Sequence, residues 1–239
     1  MNTNNSDMLY GEGDKPIKAE EVVYFENVKG FYAKPEAGAP SGEFPGVVMV
    51  HEWWGLNDNI KDMARGLAKE GYQVLAADLF DGKVAKTSED ARGQVLGLNQ
   101  ERAIQNLKAA ALYLRNKNAG KIASLGWCFG GGQALSLALS GEKLDATVVY
   151  YGNLVIDQQK LSKIKWPVLG IFGDKDASIS VQAVDEFRNS LNALGIKNSI
   201  HIYPEVGHAF ANPSGQNYAA NETKDAWQKT LKFLAENLK

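Results

Sequence analysis

Cysteine is nearly missing from this chain: its 239 residues hold one, Cys128. A single thiol excludes an intramolecular disulfide and a cysteine-based zinc site, but not a reactive thiol. Long apolar runs are missing too. No stretch approaches the roughly 18 residues of a membrane helix, so the membrane is not an expected partner. Charge of one sign is not in excess: 26 basic residues face 28 acidic ones, for a net charge of −2. That balance gives no reason to expect nucleic acid or an anionic surface as partner. Hydrophobic content of 44% and charged content of 23% argue against disorder and coiled coil. At roughly 150 residues per domain, the length allows one large α/β domain or two small ones. Met1 to Glu21 is polar and acidic, unlike a basic-then-apolar secretory leader, which makes the cytoplasm the expected compartment. Composition leaves both a monomer and a small homo-oligomer open.

Hydrophobic period alternates along the chain. Val22–Phe25 and Gly30–Ala33 have the make-up of two short strands with Asn27 between them as a turn residue. Pro45–Val50 is a continuous apolar run, the mark of a strand covered on both faces. Ile60, Met63, Ala64, Leu67 and Ala68 then trace one helical face that Gly71 ends. Strand and helix continue to alternate: Val74–Asp78, a helix carrying Ile104, Leu107, Ala111 and Leu114, Ile122–Trp127, and a helix over about Gly131–Leu139. The runs Ala146–Tyr151, Pro167–Phe172 and Ser199–Tyr203 are further strands. Val184, Phe187, Leu191 and Leu194 mark a helix, and Trp227, Leu231, Leu234 and Leu238 a closing one. This order predicts an α/β fold, a mostly parallel central sheet flanked by helices on both faces. No linker composition interrupts it, so residues 22–239 are expected to form one domain behind a polar extension over 1–21. Lys83–Gln100 and Asn212–Asn221 show no clear period and are expected to cover a site or lie exposed.

The densest chemical signal is Gly126-Trp127-Cys128-Phe129-Gly130-Gly131-Gly132. A strand runs into a turn and then a helix, and the turn reads Gly-x-Cys-x-Gly, a nucleophile elbow with sulfur in place of a hydroxyl. A buried lone cysteine and a phosphate-cradling glycine run are the competing readings. Neither Gly-x-Gly-x-x-Gly nor Gly-x-x-x-x-Gly-Lys-Ser/Thr can be placed here.

A thiol nucleophile needs a base, and the base an orienting acid. Elbow enzymes carry these in the chain order nucleophile, acid, histidine. Only His201 and His208 follow Cys128. His201 falls inside a strand and His208 in the loop beyond it, so His208 is the expected base. Asp174 and Asp176 both follow the preceding strand. Asp176 fits the Gly-x-x-Asp register from Gly173, and Asp174 fits a turn. As a base His208 must be neutral, which places an acid limb of activity near its ordinary pKa of about 6.5. His51-Glu52-Trp53-Trp54-Gly55 does not read His-Glu-x-x-His, so no zinc site is expected. After the first buried strand, this loop is expected to supply one oxyanion donor, the Trp53 N–H, with the Phe129 N–H as the other.

Glu52-x-x-Gly55, Asp78-Leu79-Phe80, the Cys128 elbow, Tyr150-Tyr151-Gly152, Gly173-x-x-Asp176 and Gly207-His208-x-Phe210 together resemble the dienelactone hydrolase family of α/β-hydrolases. The likeness runs from about Pro45 to Lys239. It implies an α/β-hydrolase fold and a Cys128–Asp176–His208 triad. Glu52, as a fourth member, takes the thiol proton when an ester or lactone arrives, and the reaction passes through a thioester and needs no cofactor. Dienelactone-cleaving members hold the substrate carboxylate with two arginines, whose positions here are Gly82 and Asn212. Lys83 is the nearest substitute cation. The departure points to a neutral or bulkier small-molecule ester or lactone, with Trp53, Trp54, Phe80, Trp127, Phe129 and Tyr151 as candidate walls. Thioesters or peptides are an alternative substrate class. A non-catalytic, ligand-binding member of the same fold is the alternative outside enzymes.

Overall fold

The computed structural model describes residue 13, residues 15–36 and residues 43–239. Of the polar stretch 1–21, residues 1–12 and 14 lie outside the described residues. The chain divides into two compact units, Met1–Ile122 and Ala123–Lys239.

The first unit carries strands β1 (Ile17–Phe25), β2 (Val28–Pro35), β3 (Gly46–Val50) and β4 (Gln73–Ala77) with helices α1 (Asp58–Lys69), α2 (Ser88–Leu96) and α3 (Gln100–Asn116). Its strands lie in the order β1-β2-β4-β3. The β1/β2 and β2/β4 pairs are antiparallel, and β3/β4 is parallel. Successive residues of a strand point to opposite faces. Phe31 of β2 meets the Arg65 guanidinium of α1, and its neighbour Tyr32 meets the Tyr113 ring of α3. Helices α1 and α3 therefore cover opposite faces. Strand β1 begins five residues before the strand read from the sequence, inside the expected extension. Ile17 to Glu21 is mostly exposed and held by backbone pairing to β2, so no apolar alternation announces it.

The second unit carries β5 (Ile122–Trp127), α4 (Phe129–Leu139), β6 (Ala146–Tyr150), α5 (Gln158–Leu161), β7 (Val168–Gly173), α6 (Val181–Ala193), β8 (Asn198–Tyr203) and α7 (Ala220–Leu238). Strands β5 to β8 run in sequence order and all in parallel. Again the helices take both faces. Ser124 Oγ reaches the Ala134 carbonyl of α4 and Thr147 Oγ1, while Tyr150, three residues on from Thr147, sends its hydroxyl to the Ala226 carbonyl of α7. Parallel strands place their carboxyl ends at one edge, and the loops leaving those ends hold the groups described next.

The segment 83–100, read as aperiodic, contains α2. Thr87 caps it through a bond from Asp90 N to Oγ1, and of its nine residues only Ala91 is buried. A helix held by its cap and largely exposed needs no apolar stripe. Among the described residues no helix is long and apolar enough to cross a membrane.

Candidate active site

Cys128 stands between β5 and α4 at φ 53° and ψ −121°. An L-residue avoids that left-handed region unless its neighbours enforce it. Here they do: Cys128 N–H donates to the Tyr150 carbonyl at 3.0 Å, and its own carbonyl accepts from Gly132 N at 3.2 Å. The glycines let the turn close. A Cβ on Gly126 would collide with the Gly130 carbonyl, and one on Gly131 would come within 2.6 Å of the Tyr150 carbonyl. The thiol is half-buried at the amino end of α4, where free backbone N–H groups and the helix dipole favour negative charge.

His208 comes from the loop after β8, Asp176 from the loop after β7. Nδ1 of His208 lies 2.8 Å from Asp176 Oδ2, and Nε2 lies 3.0 Å from Cys128 Sγ. The second carboxylate oxygen of Asp176 accepts the N–H groups of Ser178 at 2.7 Å and Ile179 at 3.0 Å. Burial alone pushes the Asp176 carboxyl up, but these bonds and His208 hold it below the usual carboxylate range. Asp174 serves a turn instead, its carboxylate accepting Glu205 N–H at 2.7 Å. His201 lies in β8 with Nε2 2.9 Å from Ser199 Oγ, not in this line of groups.

Burial pushes the His208 imidazole down, yet the bonds to Asp176 and Cys128 and their negative charges overcome it and raise the pKa to about 10. His208 therefore holds its proton at neutral pH, and the acid limb expected near 6.5 from a free imidazole does not apply to it in this state. The Tyr151 ring stands edge-on to the His208 ring at 5.3 Å, and Asn217 Nδ2 donates to the His208 carbonyl at 2.9 Å. Sequence reading missed Asn217, which sits in a turn-rich stretch with no period to mark it.

In the first unit, the loop after β3 places Glu52, 4% exposed, beside Trp53 and Trp54, whose rings meet edge-on at 5.1 Å. The Trp53 carbonyl accepts from Gln94 Nε2 at 3.3 Å and the Trp54 carbonyl from Ala85 N at 2.8 Å. Beyond β4, the Asp78 carboxylate accepts the N–H groups of Phe80 and Gly82. Gly82 turns at φ 82°. Phe80 is buried against the His51 ring, and Lys83 is exposed. Asn212 is buried, with Oδ1 accepting Ser214 N–H at 2.9 Å. Trp127 does not behave as a candidate wall. It is 1% exposed and packs on Tyr150, which places its ring in the core. Among the described residues no cluster of three His, Cys, Asp or Glu side chains could hold a metal ion.

Parallel strands flanked by helices, an elbow turn, and an acid, imidazole and sulfur in line define an α/β-hydrolase. The model of the "Dienelactone hydrolase family" matches residues 28–238, and the chain belongs to that family. It is a dienelactone hydrolase-like hydrolase. A Saccharolobus solfataricus protein named "Putative carboxymethylenebutenolidase" is 29% identical over 264 residues, covering 90% of this chain and 98% of its own. Among solved structures, one titled "Putative Dienelactone Hydrolase" from Klebsiella pneumoniae superposes with a TM-score of 0.84 at 29% identity, over 93% of this chain and 100% of that one. A dienelactone hydrolase-like promiscuous phosphotriesterase from metagenomic libraries does so with a TM-score of 0.83 at 25% identity, over 94% and 100%.

Proposed function

We propose that this protein hydrolyses small-molecule esters or lactones through a thioester on Cys128. The observation that carries the reading is the pair of distances about His208: 2.8 Å to Asp176 and 3.0 Å to the sulfur. The thiolate attacks the substrate carbonyl carbon, and the backbone N–H groups of Trp53 and Phe129 receive the developing oxyanion. Collapse breaks the ester C–O bond, and the His208 imidazolium gives its proton to the leaving alkoxide. Acylation removes the sulfur's charge and its hydrogen bond, both of which raise the His208 pKa. The imidazole then takes a proton from water, whose oxygen attacks the thioester. The carboxylic acid leaves and the imidazolium–thiolate pair returns. No cofactor enters this cycle.

Family resemblance assigns the thiol proton to Glu52. A direct transfer to His208 is favoured by the 3.0 Å approach of Nε2 to Sγ. Glu52→Gln separates the two: loss of acylation supports the glutamate, and near wild-type acylation supports His208. Neither Gly82 nor Asn212 offers a bidentate cation for a substrate carboxylate, so the substrate is a neutral or bulkier ester or lactone. Trp54 and Lys83, which reach solvent, are the side chains proposed to meet it, whereas Phe80 and Tyr151 are buried as Trp127 is.

Cleavage of p-nitrophenyl acetate by Cys128→Ala tests the whole reading. Turnover and the burst of nitrophenol are both expected to vanish, and unchanged turnover refutes it. In a panel of a neutral ester, a lactone, a thioester and a dienelactone carboxylate, the neutral oxygen esters are expected to show the highest kcat/KM.

A further inference from the structure

His51 has no part in the scheme above, yet it is fully buried and both of its ring nitrogens are engaged. Nδ1 lies 2.6 Å from the Glu52 carbonyl oxygen, which can only accept, so Nδ1 carries a proton. Nε2 receives the Leu79 N–H at 3.1 Å, so Nε2 carries none. The ring is thus a neutral imidazole of one defined tautomer. The Asp78 carboxylate, 3.8 Å from Nε2, makes no ion pair with it. Asp78 acts on the backbone instead, accepting Phe80 N–H, while the Tyr24 hydroxyl and Asn106 amide hold the Asp78 main chain. These bonds fix the Leu79 N–H that meets the ring. Burial, the largest influence, pushes the His51 pKa down, in keeping with the neutral form.

The consequence lies one peptide further on. The Glu52 carbonyl and the Trp53 N–H belong to the same trans peptide unit and point in opposite directions. With the carbonyl tied to His51 Nδ1–H and also accepting Gly55 N–H at 3.2 Å, the plane cannot turn without breaking both bonds. The carbonyls of Trp53 and Trp54 are tied in turn by Gln94 and Ala85. We infer that His51 is a positioning residue: its Nδ1–H fixes the Glu52–Trp53 peptide, and so holds the Trp53 N–H in one direction. This inference rests on the proposed role of Trp53 as oxyanion donor.

Two substitutions split the ring. The amide nitrogen of Asn can stand where Nδ1 stands, and the amide oxygen of Gln where Nε2 stands. His51→Asn therefore keeps the donor to Glu52, and His51→Gln keeps the acceptor for Leu79 but loses that donor. Losing an aligned oxyanion donor costs on the order of 10²–10³ in rate. His51→Gln is expected to lower kcat by roughly 10- to 100-fold with little change in KM, a fraction of that full loss. His51→Asn is expected to stay within a few-fold. A purely structural role would lower Tm in both variants and leave kcat per active thiol, counted by burst titration, unchanged. Equal kcat in the two variants, or an effect on KM alone, overturns the inference. Nitrogen NMR of the wild-type ring supplies a readout that needs no variant. A protonated Nδ1 and bare Nε2 from pH 6 to 8 are expected, and the opposite tautomer or an imidazolium overturns the inference. Cys128→Ala keeps the failures apart. If it still turns over, the triad reading falls; if it is dead while His51→Gln matches wild type, only the role of His51 falls.

Discussion

In the proposed reaction two side chains, His208 and Asp176, stand in line with one sulfur, and their charges set its pH dependence. With its pKa raised to about 10, His208 keeps its proton through neutral pH, with Asp176 on one side and the Cys128 sulfur on the other. For acylation this is the active form, because the imidazolium is the acid that the leaving alkoxide needs. The expected kcat/KM for p-nitrophenyl acetate therefore holds steady through pH 6.5 and falls as pH approaches about 10, where the proton is lost. Deacylation is the opposite case. Once the sulfur is acylated, His208 keeps only Asp176 as a partner, and its pKa drops. Where this step limits kcat, an acid limb returns nearer the ordinary imidazole range of about 6.5. Stopped-flow separation of the two steps checks this, and an acylation limb at 6.5 contradicts it. Asp176→Asn removes the charge and the tautomer control at Nδ1, with an expected loss on the order of 10²–10⁴ in kcat. Chain order and the Gly-x-x-Asp register were enough to single out His208 and Asp176, which the fold brings into line with Cys128. No pattern spoke for His51, because its engagement depends on the Leu79 N–H, 28 positions away, meeting its ring.

At the scale of elements, the glycines flanking α4 show why the elbow was legible. Two glycines at the helix ends do different work. Gly126, before the turn, has no room for a Cβ, because the Gly130 carbonyl already occupies that place. Gly141, after the helix, turns at φ 80° with nothing within 4 Å of its would-be Cβ. Gly141→Ala is expected to cost about 1–2 kcal/mol, from the left-handed backbone alone, and to leave kcat unchanged. Gly126→Ala must push backbone aside, with an expected loss of about 3 kcal/mol or more and of esterase activity with it. Urea titration and turnover on the same samples check both; equal costs at the two sites contradict the packing account. Close backbone approach leaves glycine as its trace in a sequence, and so the elbow could be read. Capping and edge pairing leave less. Strand β1 is held by backbone ladder bonds to β2, and α2 by Thr87 at its cap. The first five residues of β1 and the whole of α2 lie outside what hydrophobic period can reveal.

For the molecule as a whole, the same triad links function to stability. Apart from α2 and α5, the alternation of strands and helices was legible because most strands are covered on both faces and read as apolar runs. The division into units at residues 122 and 123 left no trace in composition, since no linker marks it. How far the charged triad supports the fold is open to measurement. His208, whose folded pKa is raised above the 6.5 of a free imidazole, contributes stability that is complete below 6.5 and is lost as pH rises toward about 10. Asp176, whose folded pKa is depressed, contributes stability that is complete above its unfolded value of 3.8 and is lost below it. Both contributions are therefore present together from about pH 5 to 6.5. His208→Gln removes the first and weakens the second without altering the other ionisable groups. The gap in Tm between wild type and this variant, followed by calorimetry, is expected to be widest near pH 6 and to close toward pH 10. A gap that widened with rising pH would mean that His208 is neutral at rest. The imidazolium–thiolate pair, and with it the pH behaviour expected of acylation, would then have to be abandoned.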